Sequence, residues 1–443
     1  MAGNKRNVLK AGAGYTIGNY LLKGVVFLTT PIFARLLSTA DYGIYNVFTS
    51  YGGIFYVILG LAIHSSYRNA YYRFRNDADP ENEQGYQKYI SATMWFLLAS
   101  FAVWMLMGTI FRVQAASLLR IDQAMVFLII IDSLAASISA CYSADKGIHF
   151  QYQQILIISL VSTLSSIGLS LLLIHTVFPD QRYMGRILGG LIPSVVINGA
   201  LAIRYMIKAS PRGMKKGLGW GIRYSLPIVP HGISQIILNQ FDRIMIARMI
   251  GDSQAGIYSF AYTIYSMLAV TATSIDGIWA PWYYEKRKAE DYAAIRKGSS
   301  FYILLIFIVS VVVMLLCPEL IWILGGEKYH DAVYCAIPII VGGFFACIYN
   351  VPCIVEYYHE KTRLIAVSTM ASAIVNIVLN WIFIRHFGYV AAAYTTLFTY
   401  VLYFTCHYLM ARRIEQKDLF SAKLIALLSG ILGLAAAASL LEA

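Results

Sequence analysis

The chain of 443 residues is far more apolar than a water-soluble protein of its size. Ala, Val, Ile, Leu, Met, Phe, Trp, Tyr and Cys together make up 58% of it, only 13% is charged, and the mean hydropathy is +0.62. Soluble domains usually carry about 25% charged residues. The composition therefore excludes a soluble enzyme, a nucleic-acid-binding domain and a disulfide-built secreted module, and it indicates an all-α polytopic membrane protein.

Thirteen apolar runs, each bounded by charged or turn-rich stretches, are long enough to cross a bilayer. Because lipid offers no hydrogen-bond partner to an open backbone, each run is predicted to be a helix. The longest connections lie near 67–88, 207–223 and 283–297, so no folded domain is expected outside the membrane. The predicted spans are 12–36, 43–66, 89–111, 121–142, 154–177, 187–206, 224–250, 255–282, 298–318, 332–355, 364–384, 389–410 and 419–441.

Lysine and arginine are distributed unevenly over the predicted loops. When the spans alternate from a cytoplasmic N-terminus, most of the 35 Lys and Arg residues lie on the cytoplasmic side, as the positive-inside rule for membrane proteins requires. The sequence therefore predicts a multi-pass protein of the cytoplasmic membrane with its N-terminus inside. The net charge of +12 is explained by basic loops beside anionic lipid, so it does not indicate binding to nucleic acid. The exceptions that face the other side are Arg112, Arg120, Arg182, Arg186, Lys328 and Arg385.

The two halves of the chain share a short repeat. At an offset of 213 residues, Ala34–Tyr45 aligns with Ala247–Tyr258, and Ala, Arg, Gly, Ile and Tyr coincide in order. The match joins spans one and two to spans seven and eight, so both halves enter the membrane in the same direction. We predict two six-helix bundles related by a pseudo-twofold axis along the membrane normal. The predicted domains are the bundle 1–206, the cytoplasmic linker 207–223, the bundle 224–412 and an additional span within 413–443.

Polar side chains inside the spans mark candidate functional positions, because a charge at the bilayer centre is costly unless it faces a cavity or a partner. In span seven, His231, Gln235, Asn239 and Asp242 share one helix face, with Arg243 beside them. Asn19 and Lys23 form a similar stripe in span one. We predict that both stripes line a water-filled groove. The alternative is that these groups only form hydrogen bonds to neighbouring helices.

No motif for catalysis stands out in the chain, which lacks the H-E-x-x-H, G-x-S-x-G and Walker patterns. The six cysteines lie in or beside apolar runs without a C-x-x-C pair, so no disulfide, metal site or cofactor is predicted. Lone histidines such as His64 and His407 are interpreted as packing residues. Without a phosphate-binding loop, transport would be driven by an ion gradient, the membrane potential or the gradient of the substrate.

Several stretches of the second half carry a family resemblance. Leu226–Gly251 (LPIVPHGISQIILNQFDRIMIARMIG) and Ala255–Tyr262 (AGIYSFAY) resemble the seventh-span signature of the Wzx-type oligosaccharide flippases, the polysaccharide transporters of the multidrug/oligosaccharidyl-lipid/polysaccharide (MOP) exporter superfamily. Glu356–Arg363, Asn376–Asn380 and Phe387–Tyr394 are similar to the segment around spans ten to twelve of that family.

The resemblance extends over about residues 10–412 and implies a fold, a function and a set of partners. The fold would be a MATE-like pair of bundles that opens alternately to either side of the membrane. The function would be to move polyprenyl-diphosphate-linked oligosaccharide units to the outer leaflet, for O-antigen, capsule or exopolysaccharide synthesis. The partners would be that lipid-linked glycan, the bilayer and the polysaccharide polymerase with its assembly machinery. The thirteenth span departs from a plain twelve-span pattern.

The implied cargo gives roles to the polar residues. A diphosphate needs fixed cationic partners inside the bilayer. Arg68 is predicted to capture it at the cytoplasmic end of span two, and Lys23, about 18 Å into span one, is predicted to hold it. Interfacial anchoring for Arg68 and helix contacts for Lys23 are the alternatives. The predicted substrate-binding residues are Asn19, Lys23, Arg68, Gln235, Asn239 and Arg243, and the ion-coupling candidates are Asp242 and Asp276.

Other functions on the same fold remain open. A multidrug exporter for small cations would need acidic groups in the groove, so Lys23 and Arg243 disfavour it. An exporter of peptidoglycan precursor would carry the same diphosphate. A membrane-embedded glycan polymerase or ligase would need a large outer loop with catalytic groups, whereas the predicted outer loops are short.

Overall fold

The structure, a computed structural model, describes residues 29–75 and 82–442, and its regular secondary structure in these ranges is entirely helical. The prediction of an all-α multi-pass membrane protein is confirmed. Residues 29–36, at the end of the first predicted span, are helical. Asn19 and Lys23 lie outside the described residues, so their predicted roles stay predictions.

The remaining helices follow one another with short connections. Three single-turn 3₁₀ helices, Ile63–Ser66, Leu226–Ile228 and Glu327–Tyr329, lie between them. The α-helices are α1 (Thr39–Gly60), α2 (Tyr67–Phe74), α3 (Gln84–Ile110), α4 (Arg112–Leu119), α5 (Gln123–Ile148), α6 (Tyr152–Thr176), α7 (Arg182–Lys208), α8 (Lys215–Ser225), α9 (Val229–Met249), α10 (Asp252–Lys288), α11 (Tyr292–Leu315), α12 (Cys317–Gly325), α13 (Ala332–Ile348), α14 (Asn350–Tyr358), α15 (Thr362–Phe387), α16 (Ala391–Glu415) and α17 (Ala422–Glu442).

Nine helical segments of the described chain are long and apolar enough to cross a membrane, with α13 and α14 counted as one segment. A tenth is the bent pair of α1 with Ile63–Phe74, which turns by 53°. The last of the nine, α17, coincides with the predicted thirteenth span. Helices α9 and α16 coincide with the predicted seventh and twelfth spans but are not among the nine, and they carry the polar side chains described below.

The described residues divide into two compact units. One contains 47–75 and 82–236, and the other contains 29–46 and 237–442. This grouping differs from the predicted domains in two respects, because the division lies within α9 and because 29–46 belong with the second half of the chain. The predicted boundaries around 207–223 stay a prediction.

The core of the first unit is built around tyrosines at the start of α2 and α3. Tyr67, Tyr86 and Tyr89 have no solvent-exposed surface, and the Tyr89 hydroxyl lies 2.6 Å from the Ser66 hydroxyl. Gly221 lets α8 approach this core, since a Cβ atom there would overlap the Tyr89 hydroxyl. The Tyr89 hydroxyl is thus paired within the protein, whereas the buried hydroxyls of Tyr67 and Tyr86 have no hydrogen-bond partner among the described residues.

The second unit is organised around α13, of which almost every residue is buried. Helices α10, α11, α16 and α17 pack against it. A helix that is apolar on all sides is either buried among other helices or faces lipid, and α13 is buried. The polar contacts of α10 and α16 are made with α9, α11, α14 and α15.

The repeated sequence motif is explained by a contact between its two copies. Gly43 in α1 and Gly256 in α10 are repeat equivalents, and they pack against each other within the second unit. A Cβ atom on Gly43 would overlap the carbonyl oxygen of Asp252 and lie 2.8 Å from the backbone nitrogen of Gly256. A Cβ atom on Gly256 would overlap the carbonyl oxygen of Thr39. Both positions therefore require glycine for the close approach of two helix backbones.

We expect Gly43→Ala and Gly256→Ala each to lower the free energy of unfolding by about 1–3 kcal/mol, since the added methyl group forces two backbones apart. Thermal unfolding of the purified protein in detergent would measure this. Gly433→Ala in α17 is the matched control, because no atom lies within 4 Å of the added Cβ there. Equal unfolding temperatures for all three variants and the unsubstituted protein would contradict the explanation.

Candidate functional site

Asp242 on α9 is a buried carboxylate at the junction of four helices. It is only 1% exposed. Its Oδ2 atom accepts hydrogen bonds from the Tyr258 hydroxyl at 2.6 Å and from Thr396 Oγ1 at 2.7 Å. Its Oδ1 atom accepts one from Asn380 Nδ2 at 2.7 Å. The donors lie on α10, α16 and α15, so this single carboxylate joins all three helices to α9.

A second layer of buried polar groups surrounds these contacts. Asn380 Nδ2 also donates to Asn376 Oδ1 at 3.1 Å, and Asn376 Nδ2 donates to Thr396 Oγ1 at 3.3 Å. The Thr395 hydroxyl donates to Asn380 Oδ1. We name the whole set the Asp242 cluster, whose members are Asp242, Tyr258, Asn376, Asn380, Thr395 and Thr396.

The chemistry of the Asp242 cluster suits a proton or a small hard cation. Its potential ligands are carboxylate, amide and hydroxyl oxygens, which are the ligands that hard cations prefer. Each group that bonds Asp242 is electrically neutral, so the hydrogen bonds stabilise the carboxylate without cancelling its charge. A cation or a proton could cancel it, and burial in a membrane protein makes that change of charge energetically large.

Arg243 follows Asp242 in the chain but does not pair with it. Its guanidinium carbon lies 4.6 Å from the centre of the Tyr262 ring, and its buried Nε has no hydrogen-bond partner. Within the described residues, no ion pair joins Arg243 to Asp242, because consecutive helical side chains point about 100° apart. Neighbouring opposite charges in a span also lead us to expect Asp242 and Arg243 to act as a coupled pair. That expectation stays a prediction, and in this structure it involves no direct contact.

The other predicted substrate-binding residues have different surroundings. On α9, Gln235 is half-buried and Asn239 is exposed, with the Tyr400 hydroxyl donating to Asn239 Oδ1 at 2.9 Å. The structure therefore places Asn239 and Asp242 on the predicted polar face of one helix. Arg68 is exposed on α2 and belongs to the other unit.

Asp276, the other ion-coupling candidate, belongs to a separate network. The Tyr302 hydroxyl donates to its Oδ1 atom at 2.6 Å, and Asn350 Nδ2 donates to its Oδ2 atom at 2.7 Å. These neutral donors come from α11 and α14, whereas Asp276 lies on α10. Both ion-coupling candidates are thus carboxyl groups whose hydrogen-bond partners carry no charge.

A buried pair on α14 and α16 escaped the sequence analysis. Glu356 and His407 have no exposed surface, and Glu356 Oε1 lies 2.6 Å from His407 Nδ1. The other two polar atoms, Glu356 Oε2 and His407 Nε2, have no partner in the described structure. With Cys353, they form a buried group whose ligand atoms all lie within 4.8 Å of one another and could hold a metal ion. Only the Cys353–Glu356 spacing was visible in the sequence, because the histidine comes from another helix.

Glu415, beyond the predicted end of span twelve, joins the ends of three helices. Its Oε1 atom accepts from Arg287 Nε at 2.7 Å and from the Tyr283 hydroxyl at 3.4 Å, and it lies 2.9 Å from His359 Nε2. Burial by itself raises the pKa of Glu415, but the hydrogen bonds and positive charges of Arg287 and His359 outweigh it and hold the pKa below its usual value. Glu415 is therefore ionised at neutral pH and fastens α16 to α10 and to the end of α14.

A lowered pKa in the folded state predicts how this contact responds to acid. The stabilisation from Glu415 is present above the ordinary glutamate pKa of about 4.3, and it is lost as the pH falls through the lower pKa of the folded protein. We expect Glu415→Gln to lower the unfolding temperature at neutral pH and to make little difference below that range.

Thermal unfolding of both proteins across pH 3–8 would measure this. Glu290→Gln provides a control, because Glu290 is exposed and its side chain makes no hydrogen bond or ion pair with any described residue. A destabilisation by Glu415→Gln that stays constant over the whole pH range would contradict an ionised Glu415.

The chain matches a protein family and a relative of similar length. Residues 8–285 match a family model described as "Polysaccharide biosynthesis protein". A protein of the Lsg locus of Haemophilus influenzae is 21% identical over 386 residues, which cover 83% of this chain and 89% of that protein. The family match over residues 8–285 includes α1 to α9 and most of α10, and therefore Asp242, but it ends before Asn380 and Thr396.

Solved structures share the fold over almost the whole chain. The lipid II flippase MurJ in an inward closed conformation matches with a TM-score of 0.74 and 14% identity, covering 95% of this chain and 90% of that one. An inward-facing multidrug resistance transporter of the MATE family and the MOP superfamily matches with a TM-score of 0.64 and 13% identity, covering 88% and 98%. At these identities the likeness concerns the fold, and it confirms the predicted MATE-like architecture.

Proposed function

We propose that this chain, which belongs to the polysaccharide biosynthesis protein family, is a flippase for polyprenyl-diphosphate-linked oligosaccharide units. The protein is a multi-pass membrane transporter and not an enzyme. The observation that carries the proposal is the family match over residues 8–285, which is more than half of the chain. This protein belongs to that family and is built from membrane-spanning helices. It is therefore suited to moving a lipid-linked glycan across the membrane.

The polar residues of α9 fit the head of such a cargo. A glycan attached to diphosphate presents hydroxyl groups and negative charge, which need hydrogen-bond donors and cations inside the bilayer. Gln235 and Asn239 supply amide groups, and Arg243 supplies a guanidinium whose Nε is unpaired. Asn19, Lys23 and Arg68 complete the proposed substrate-binding set. The polyprenyl tail can stay in the lipid while the head passes through the protein.

The Asp242 cluster is the proposed coupling element of the transporter. A transport cycle driven by an ion gradient needs a group that binds the ion with different affinity in the two arrangements of the helices. A group whose charge changes and whose position is tied to several helices can do this. Asp242 meets both conditions, because its hydrogen bonds join α9 to α10, α15 and α16. Binding of a proton or small cation there would change which arrangement of these four helices is favoured. Asp276, with its two neutral donors, is the second candidate for this role.

The proposed location is the cytoplasmic membrane, with the N-terminus on the cytoplasmic side. The bias of Lys and Arg toward one set of loops supports this orientation. In that orientation the transporter would receive its lipid-linked cargo from the cytoplasmic leaflet and deliver it to a polysaccharide polymerase and its assembly machinery on the other side.

A peptidoglycan precursor is the second candidate cargo. The observation that favours it is the fold shared with the lipid II flippase MurJ, at a TM-score of 0.74. Identification of the lipids that co-purify with the protein would separate the two. We expect mass spectrometry to find polyprenyl diphosphate bearing an oligosaccharide, whereas lipid II alone would support the second candidate, and ordinary phospholipids alone would contradict both.

We expect Asp242→Asn to reduce export of surface polysaccharide by about tenfold or more, corresponding to about 1.4 kcal/mol in the transport barrier. The amide keeps the size of the side chain but loses the charge that responds to an ion. The measurement is complementation of a strain that lacks its own oligosaccharide flippase, with matched expression. Asp180→Asn is the control, since Asp180 is exposed in a short loop. Full export by Asp242→Asn would exclude the coupling role.

A further inference from the structure

The first unit contains a polar cavity at one end of its helices. Its volume is about 120 Å³. The start of α3, the end of α5 and the end of α7 form its walls, together with the short connection that leads into α6. By the distribution of Lys and Arg, this is the end of the unit on the predicted cytoplasmic side. The acidic and basic residues that line the cavity are Glu83, Asp145, Lys146, His149, Arg204 and Lys208.

The acidic groups of the cavity already have partners within it. Asp145 Oδ2 accepts a hydrogen bond from the Tyr205 hydroxyl at 2.7 Å and lies 3.3 Å from Lys146 Nζ. Glu83 Oε1 lies 2.9 Å from His149 Nε2. Each carboxylate therefore has one oxygen engaged by a neighbour, while Asp145 Oδ1 accepts no hydrogen bond, and within the described residues neither carboxylate forms an ion pair with Arg204 or Lys208.

The basic groups of α7 have no such partners. Arg204 and Lys208 are exposed, and neither makes a hydrogen bond or an ion pair with any residue that the structure describes. They are four positions apart in one helix, so their side chains lie on the same face and repel each other. Two cations in this arrangement, at the edge of a cavity, form a place where an anion would be stabilised by both.

The surroundings of the cavity indicate that this anion reaches it from the membrane. Helix α6 begins directly after Gln151, which lines the cavity. Only 6% of the apolar window of α6 is buried in the protein, so much of the apolar surface of this helix is available to lipid. A lipid whose tails lie against α6 would bring its headgroup to the cavity. Basic pockets between membrane helices on the cytoplasmic side are a known kind of site for anionic headgroups.

We infer that this cavity binds the phosphate of a lipid headgroup, with Arg204 and Lys208 as its cationic ligands. The guanidinium of Arg204 can donate two parallel hydrogen bonds to phosphate oxygens, and Lys208 adds a point charge one helical turn away. An ordinary anionic phospholipid and a polyprenyl diphosphate both present this group. The inference therefore stands whether or not the transported cargo is a glycan.

The test is lipid binding by the purified full-length chain, measured by native mass spectrometry from detergent. The probes are phosphatidylglycerol, undecaprenyl diphosphate and inorganic diphosphate. We expect Arg204→Gln with Lys208→Gln to weaken binding of one or both lipids by about tenfold or more, as the loss of two charge-assisted contacts requires. Arg204→Lys with Lys208→Arg keeps both charges and should retain most of the binding.

Lys215→Gln with Lys216→Gln is the matched control, because both lysines are exposed at the start of α8, outside the cavity. Equal weakening in the control would mean general attraction between charged surfaces and would overturn the inference, as would unchanged binding in the cavity variant. Tighter binding of inorganic diphosphate than of either lipid would also overturn it.

Asp242→Asn separates this site from the proposed transport function. Asp242 lies in the other unit and does not line the cavity. We therefore expect this variant to bind phosphatidylglycerol, which is not the proposed cargo, normally even if it no longer transports. Loss of binding in the cavity variant with normal binding in Asp242→Asn supports the lipid site, whatever the outcome of the export experiment. Loss of binding by Asp242→Asn of the same size would overturn the assignment to this cavity.

Discussion

The bilayer interior supplies no water, so a polar group inside this protein is costly unless it finds a partner within the protein or lines a water-filled cavity. The hydrogen bonds to Asp242 show what this demands. Three neutral donors, Tyr258, Asn380 and Thr396, converge on one carboxylate from three helices. This carboxylate ties α9, α10, α15 and α16 to one another, because a shift of any one of them would cost it at least one of its hydrogen bonds.

The same constraint separates what the sequence predicts from what it does not. A charge in an apolar run is visible by itself, so Asp242 and Asp276 could be selected from the sequence alone. Their partners could not, since Asn380 and Thr396 lie 138 and 154 residues from Asp242 and an amide or hydroxyl in a span is common. The sequence analysis missed the Glu356–His407 pair for the same reason. Cys353 lies one helical turn before Glu356, but this spacing alone does not show that His407 packs against both. Periodicity identifies a helix face, but only packing shows what lies opposite that face.

Both units contain a carboxylate that joins corresponding helices near the same end. In the first unit, Asp145 on α5 accepts from Tyr205 on α7 at 2.7 Å. In the second, Glu356 on α14 lies 2.6 Å from His407 on α16. These helices are the fourth and sixth spans of each predicted half. The repeat found from a short motif therefore extends to a polar contact for which no sequence similarity remains, since Tyr replaces His and the acids differ in length.

The contact between Gly43 and Gly256 bears on how such a chain could arise. Each glycine meets the equivalent glycine of the other repeat, so the contact is self-complementary in the manner of a symmetric dimer. A half-length ancestor with one such motif could pair with a second copy of itself through the same approach of backbones. Gene duplication and fusion would then convert an association that depends on protein concentration into a permanent one. After such a fusion the two copies could diverge, while the close contact of their backbones would still require both glycines.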